Sequence, residues 1–181
     1  MSFSNSAKNE VLKEKIENDC CSIAFLSAII KCSGELSISS GHKISVAIYT
    51  ELADLYGKIK SVIEQYYGIE CEIELLEDTN ISKSSRYKIT LPHSITDQLL
   101  KDLGIMNIDE SGLLSIENGI ADFVVMDECC KRSYIRGAFV SCATSNIIIK
   151  NYDNEKSNSG YHLEFVFNFE KIAEDFLKLL A

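Results

Sequence analysis

Apolar and polar positions along this 181-residue chain follow two periods, one helical and one of two residues. The helical period is densest over 20–33. Cys21, Ala24, Phe25, Ala28, Ile29 and Cys32 form one stripe, while Ile23, Leu26 and Ile30 fill a second side. A helix apolar on most sides belongs in the middle of a domain. Asn18 and Asp19 supply its start and Gly34 its stop. Before it, Ser4 or Ser6 caps a shorter helix with a modest stripe of Val11, Leu12 and Ile16.

The two-residue period then appears twice. Glu35-Leu36-Ser37-Ile38-Ser39 and Lys43-Ile44-Ser45-Val46-Ala47-Ile48-Tyr49, joined at Ser40-Gly41-His42, read as a hairpin with one face buried. Thr50 and Glu51 open a helix running to Tyr67, with Leu52, Leu55, Ile59, Val62, Ile63 and Tyr66 inward and Gly68 as terminator. In the next strand Ile69, Cys71, Ile73 and Leu75 oppose Glu70, Glu72 and Glu74. After a polar loop at 77–84, Tyr87, Ile89 and Leu91 oppose Arg86, Lys88 and Thr90, which predicts pairing of the glutamates with Arg86 and Lys88. Pro92 stops that strand, and a helix over 94–103 ends at Gly104. Residues 105–128 contain Gly112 and Gly119 and keep no sustained period, which predicts a linker.

After the linker the pattern restarts. Cys129-Cys130-Lys131-Arg132-Ser133-Tyr134-Ile135-Arg136-Gly137-Ala138-Phe139 matches the opening and length of Cys20-Cys21-Ser22-Ile23-Ala24-Phe25-Leu26-Ser27-Ala28-Ile29-Ile30, at an offset of 109 residues. That offset is too long for a solenoid unit and indicates a duplicated half-domain. The restart predicts a helix at 129–143, a strand at 145–150, a polar loop at 151–160, a strand at 161–169 and a helix at 170–180. The organisation is therefore an N-terminal helix at 1–18, a first repeat at 19–104, a linker at 105–128 and an incomplete second repeat at 129–181. The first repeat reads αββαββα and the second only αββα, so the expectation is a chain cut from a longer protein that continues past Ala181.

Composition adds exclusions. No long uncharged apolar run supports a membrane span, and Met1-Ser2-Phe3-Ser4-Asn5-Ser6 lacks a secretory signal's basic start and apolar core. A cytoplasmic location, with nucleoid association, is the expectation. Seven cysteines there read as reduced thiols. The two Cys-Cys pairs lack zinc-ligand spacing and read as small buried hydrophobes, with metal binding across the pairs as the alternative. No metal or cofactor is assigned. The net charge of −9 disfavours strong nonspecific nucleic-acid binding. The imbalance lies in 69–128, with four basic and thirteen acidic side chains, while the flanks are near neutral.

The αββαββα duplication headed by an apolar, small-residue helix resembles the LAGLIDADG homing-endonuclease fold, an α+β class. Leu26-Ser27-Ala28-Ile29-Ile30-Lys31-Cys32-Ser33-Gly34 and Ile135-Arg136-Gly137-Ala138-Phe139-Val140-Ser141-Cys142-Ala143 sit on its signature. The resemblance implies two helices in close contact at a pseudo-twofold axis, with Ala28 and Gly137 at the approach. A more specific resemblance is to the WhiA family of bacterial sporulation and cell-division transcription regulators. Ser2-Phe3-Ser4, the Cys20-Cys21 pair, the Cys129–Phe139 run and Tyr161-His162-Leu163-Glu164 carry it, in family order. Ser141-Cys142-Ala143-Thr144-Ser145 departs from the family's more glycine-rich run. That family adds a C-terminal helix-turn-helix domain, expected outside this sequence.

In the endonuclease fold a carboxylate near the end of each signature helix holds divalent metal for phosphodiester hydrolysis. Those positions are Ser33 and Cys142, so the resemblance implies lost catalysis, and no catalytic residue is assigned. His42, His93 and His162 form no recognisable nucleophile–base arrangement, and no Gly-rich phosphate loop is present. DNA contact is expected from Lys43, Arg86, Lys88, Lys131, Arg132 and Arg136, held weakly by this fragment alone. The full-length protein would add the transcription machinery as partner. The rival reading is a protein-interaction or ligand-sensing module on the same fold that no longer touches DNA.

Overall fold

The computed structural model describes residues 2–16, 18–39, 43–70, 72–76, 86–147 and 160–181, with backbone only at 43, 72–76 and 147. The turn at 40–42, the loop at 77–84 and positions 151–159 of the last polar loop lie outside the described residues. The fold is mixed α+β. Its elements are α1 Phe3–Lys13, α2 Asp19–Ser33, β1 Gly34–Ser39, β2 Lys43–Thr50, α3 Ala53–Tyr67, β3 Glu72–Leu76, β4 Arg86–Thr90 and α4 His93–Asp102. Then follow β5 Met106–Ile108, β6 Leu114–Ile116, a 3₁₀ turn at Asp122–Val125, α5 Glu128–Cys142, β7 Ala143–Ile147, β8 Tyr161–Phe165 and α6 Glu170–Leu180.

Helices α2 and α5 make the most extensive contact between any two described elements. Almost all of α2 is buried, as its two apolar sides predict. One side meets the first core, with Ile44, Val46 and Ile48 of β2, Ile89 of β4 and Leu55, Ile59 and Ile63 of α3. Its other side, Cys21, Ala24, Ala28 and Cys32, meets Cys130, Tyr134 and Ala138 of α5 and Phe176 of α6 in a smaller second core. The first sheet is antiparallel in the order β1-β2-β4-β3, while β7 pairs only with β8 among the described residues. In both halves the signature helix passes directly into a strand, with Gly34 and Ala143 already extended.

Several expectations are corrected. The first helix starts earlier than its serines suggested, and Ser2 caps it by accepting from Asn5 N–H at 3.2 Å. Helix α3 begins at Ala53, because the Thr50 hydroxyl holds Leu52 N–H at 3.0 Å outside the helix. The β1–β2 hairpin buries one face only on β2. Leu36 and Ile38 on the edge strand β1 stay 38% and 61% exposed, although they lie opposite buried Val46 and Ile44. Strand β7 starts two residues earlier than expected, and β8 ends at Phe165, not Phe169. The supposed linker contains the β5–β6 hairpin. Asp109 organises its turn by accepting from Ser111 and Leu113 N–H, both at 2.9 Å. Gly112 closes that turn at φ +83°, a left-handed conformation that favours glycine. The hairpin region is tied to α2, since Ser27 donates to Leu103 O at 2.8 Å and Lys31 to Glu117 O at 2.7 Å.

Candidate functional site

Where α2 and α5 cross, Gly137 lets the backbones approach. A Cβ built there would stand 2.5 Å from Phe25 O and 2.8 Å from the Ala28 Cβ. Ala28 is fully buried. At the helix starts, Ser133 is buried and donates to Cys21 O at 2.6 Å across the interface. At the opposite end the thiols of Cys32 and Cys142 are hydrogen-bonded to each other, which raises Cys32 and lowers Cys142 from the ordinary thiol value. The two helices therefore run parallel, with both starts at one end and both finishes at the other.

The finishing ends carry Ser33 and Cys142, the positions that the sequence resemblance sets against the acids of the endonuclease signature. Ser33 Oγ donates to Ile29 O at 2.9 Å, and Cys142 Sγ to Ala138 O at 3.3 Å. Both polar atoms are turned onto the carbonyl four residues back in their own helix. The cleft beside them, about 550 Å³, is lined by Lys8, Ser33, Glu35, Glu51, Arg86 and Ser141 among others. Helix α1 contributes Lys8, whose amine burial pulls below its ordinary value. Glu35 is exposed, and its counterpart at the 109-residue offset is exposed Thr144.

The six cationic candidates separate into two groups. Alternation along β2 and β4 puts positions 43, 86 and 88 on the sheet side opposite buried Ile44, Val46, Ile48 and Ile89. The side chain of Lys43 lies outside the described residues. Position 88 faces position 74 across β3–β4, so of the three glutamate positions expected opposite Arg86 and Lys88 the register sets one against Lys88, while position 72 faces Thr90. Arg86 instead faces Leu76 and places its Nε 3.8 Å from Glu51 Oε1, so the glutamate it reaches comes from the start of the α3 region. Lys131, Arg132 and Arg136 do not join this surface. Lys131 bonds Glu128 at 2.6 Å within the first turn of α5. Arg132 and Arg136 line a cleft of about 390 Å³ with Glu14, Lys15, Cys21 and Cys129. Arg132 lies ten positions before Cys142, about 15 Å back along the helix.

The cysteine reading also changes. Cys21 and Cys130 are buried as expected, but Cys20 and Cys129 are exposed, and the four Sγ atoms all lie within 4.8 Å of one another. Sequence spacing could not show this, because the two pairs meet only through the helix pairing. Burial pushes the Cys21 thiol up to about 11, while a hydrogen bond with Cys21 draws Cys129 down.

A further cleft, about 990 Å³, lies between the β5–β6 hairpin, the 3₁₀ turn and α6. Asp175 joins its walls, accepting from Ile120 N–H at 3.2 Å and pairing with Lys171 at 2.9 Å and Lys178 at 2.8 Å. Burial would raise this carboxyl, but those donors hold it down at about 2.

Comparison with known proteins places these features. A family model described as the WhiA N-terminal LAGLIDADG-like domain matches residues 19–106. A probable cell division protein WhiA from Alkaliphilus metalliredigens is 31% identical over 182 residues, covering 99% of this chain and 54% of that protein. The protein of the same name from Clostridium acetobutylicum is 32% identical over 181 residues, covering 99% and 54%. The chain thus spans about half the length of the curated relatives it matches. The crystal structure of the N-terminal LAGLIDADG domain of DUF199/WhiA superposes with a TM-score of 0.62 at 21% identity, covering 99% of this chain and 73% of that one. At that identity it speaks for the fold alone. No helix among the described residues is long and apolar enough to cross a membrane.

Proposed function

Because the chain belongs to the WhiA family through its N-terminal LAGLIDADG-like domain, we propose that it is a non-catalytic, DNA-contacting scaffold domain of a WhiA-like transcription regulator acting in cell division or sporulation. The observation that carries this reading is the chemistry of the helix ends. Hydrolysis on this fold needs hard oxygen ligands from both helices to hold divalent metal. Ser33 and Cys142 offer a hydroxyl and a thiol, both directed at backbone carbonyls. Glu35 alone, opposite no second acid at Thr144, does not replace the pair.

DNA contact is supported by the shared sheet side of positions 43, 86 and 88, with Ser45 and Thr90 between them as further phosphate donors. Glu51 beside Arg86 and position 74 opposite Lys88 weaken the surface, so binding by this chain alone is weak and salt-sensitive. Lys131 and Arg132, near the start of α5, and Arg136, beside the crossing, lie off this sheet surface and are not among its DNA contacts.

The test is fluorescence anisotropy with duplex DNA at about 50 mM salt and above. Three phosphate contacts give a slope of log affinity against log salt near −3, and Arg86→Ala lowers its magnitude by about 1. Supercoiled DNA stays intact with magnesium or manganese. Cutting that persists through repeated purification overturns the loss of catalysis. Absence of binding at about 50 mM salt favours the second reading, an interaction module. A specific feature supports that alternative: Tyr161 and Leu163 share one side of β8 at 88% and 56% exposure.

A further inference from the structure

Core packing accounts for only half of the cysteine cluster at the helix starts. Cys20 and Cys21 belong to the first turn of α2, and Cys129 and Cys130 to the first turn of α5. Cys21 and Cys130 are 6% and 2% exposed and contribute to the second core. Cys20 and Cys129 are exposed, yet their sulfurs lie within the same 4.8 Å set. Neighbouring residues of a helix point about 100° apart, so one Cys-Cys pair cannot surround an ion. The second helix supplies the remaining two directions, and the Ser133–Cys21 hydrogen bond at 2.6 Å fixes the two starts against each other.

We propose that Cys20, Cys21, Cys129 and Cys130 are the ligands of one structural, thiolate-seeking divalent cation of the zinc class. Tetrahedral coordination with metal–sulfur bonds of about 2.3 Å separates the sulfurs by about 3.8 Å. Cys129 and Cys130 Sγ already stand 4.0 Å apart, and the widest pair closes by about 1 Å through thiol rotation. On binding, four S–H bonds give their protons to solvent and four metal–sulfur bonds form, leaving a centre of net charge −2. Both helix starts direct their positive dipole ends at that charge. Arg132, in the cleft beside Cys21 and Cys129, adds a cation. Magnesium and manganese, which prefer oxygen, are poor competitors for such a set. The ion clamps the two half-domains together at the end remote from Ser33 and Cys142, whether or not the sheet touches DNA.

The test uses the reduced chain, stripped with a chelator and kept without oxygen, titrated with Co²⁺ and then Zn²⁺. One equivalent of Co²⁺ gives the intense visible bands and thiolate-to-metal charge transfer of a tetrahedral sulfur site, and Zn²⁺ bleaches them. Zinc also raises the unfolding temperature. Cys20→Ser with Cys129→Ser, both at exposed positions, abolishes the spectrum while far-ultraviolet circular dichroism is retained. Cys32→Ser, Cys71→Ser and Cys142→Ser leave it intact. The proposal is overturned if the folded reduced chain shows no charge-transfer bands, or if they survive Cys20→Ser with Cys129→Ser. It is also overturned if, with zinc present, the chain loses four hydrogens in mass, reversibly by dithiol, because that marks two disulfides in place of a metal.

Discussion

The two ends of the α2–α5 pair are built from one helix pairing and differ in the chemistry they can support. At the starts, four thiols converge beside the positive ends of two helix dipoles. At the finishes, about 20 Å away, Ser33 and Cys142 turn back to their own helices beside the negative ends. A parallel pair therefore has one end suited to anionic ligands and one where an acid is tolerated mainly when a cation accompanies it. The active endonuclease fold uses the second end. In this chain the finishing end carries the hydroxyl of Ser33 and the thiol of Cys142, and the starting end has the denser cluster of potential ligands.

Both ends depend on the crossing between them, so the largest expected effect comes from opening it. Gly137→Leu forces side-chain atoms into Phe25 O and Ala28, already 2.5 Å and 2.8 Å from a bare Cβ. The expected cost is about 3 kcal/mol, read as a lower urea midpoint at unchanged slope. A neutral result would mean that the helices are not held this closely.

The next effect belongs to the finishing end. Lys31 is 8% exposed and donates to Glu117 O at 2.7 Å. Burial lowers its amine to about 8, partly opposed by Glu117, Cys32 and Asp175. The unfolded side chain keeps its proton up to about 10.5, whereas the folded one releases it from about 8. Between those values the unfolded state binds more protons, so stability rises with pH, by at most about 1.4 kcal/mol per pH unit. Below pH 8 both states are protonated and this group adds no slope. Urea titrations at several pH values, compared with Lys31→Met, isolate the contribution. An identical slope in both proteins removes the assignment.

Ser133→Ala probes the starting end alone. It deletes the buried hydroxyl that joins the helices but leaves Cys21 O its acceptor role within α2. The expected loss is about 1 kcal/mol. If the four thiols bind metal, the same substitution also weakens zinc binding without removing it, whereas Ser33→Ala leaves zinc binding unchanged.

The contrast between the ends was only partly legible in the sequence. Ala28, Phe25 and Gly137 fall on helical stripes, so the two helices and their apolar sides were visible. Gly68 announced its left-handed stop, at φ +64°. Strands β5 and β6 were not visible, since three residues are too few to establish a period. The Asp109 and Gly112 turn was their only local signal. The thiol cluster was hidden for another reason. Metal-site spacing rules describe ligands near in sequence, while these pairs are 109 residues apart and meet through tertiary pairing. Exposure of Leu36 and Ile38 was equally hidden, because alternation predicts a face but not whether anything covers an edge strand.

The last expected effect, a modest one, addresses Ser33 and Cys142 directly. Ser33→Asp with Cys142→Asp places two carboxylates at the negative ends of two helices, where each is disfavoured by about 0.3–1 kcal/mol. Cys142 is also hydrogen-bonded to Cys32, so the second substitution removes that link. Without divalent metal the double variant is therefore expected to unfold at a slightly lower urea concentration than the parent. Manganese or magnesium should restore that difference by bridging the new acids, and neither ion should move the parent's midpoint. The reciprocal control is zinc, whose effect at the thiols should survive in the double variant, because that site lies at the other end of the same helices. If manganese stabilises parent and variant alike, the finishing end already holds a cation through other groups, and its contrast with the thiol end fails.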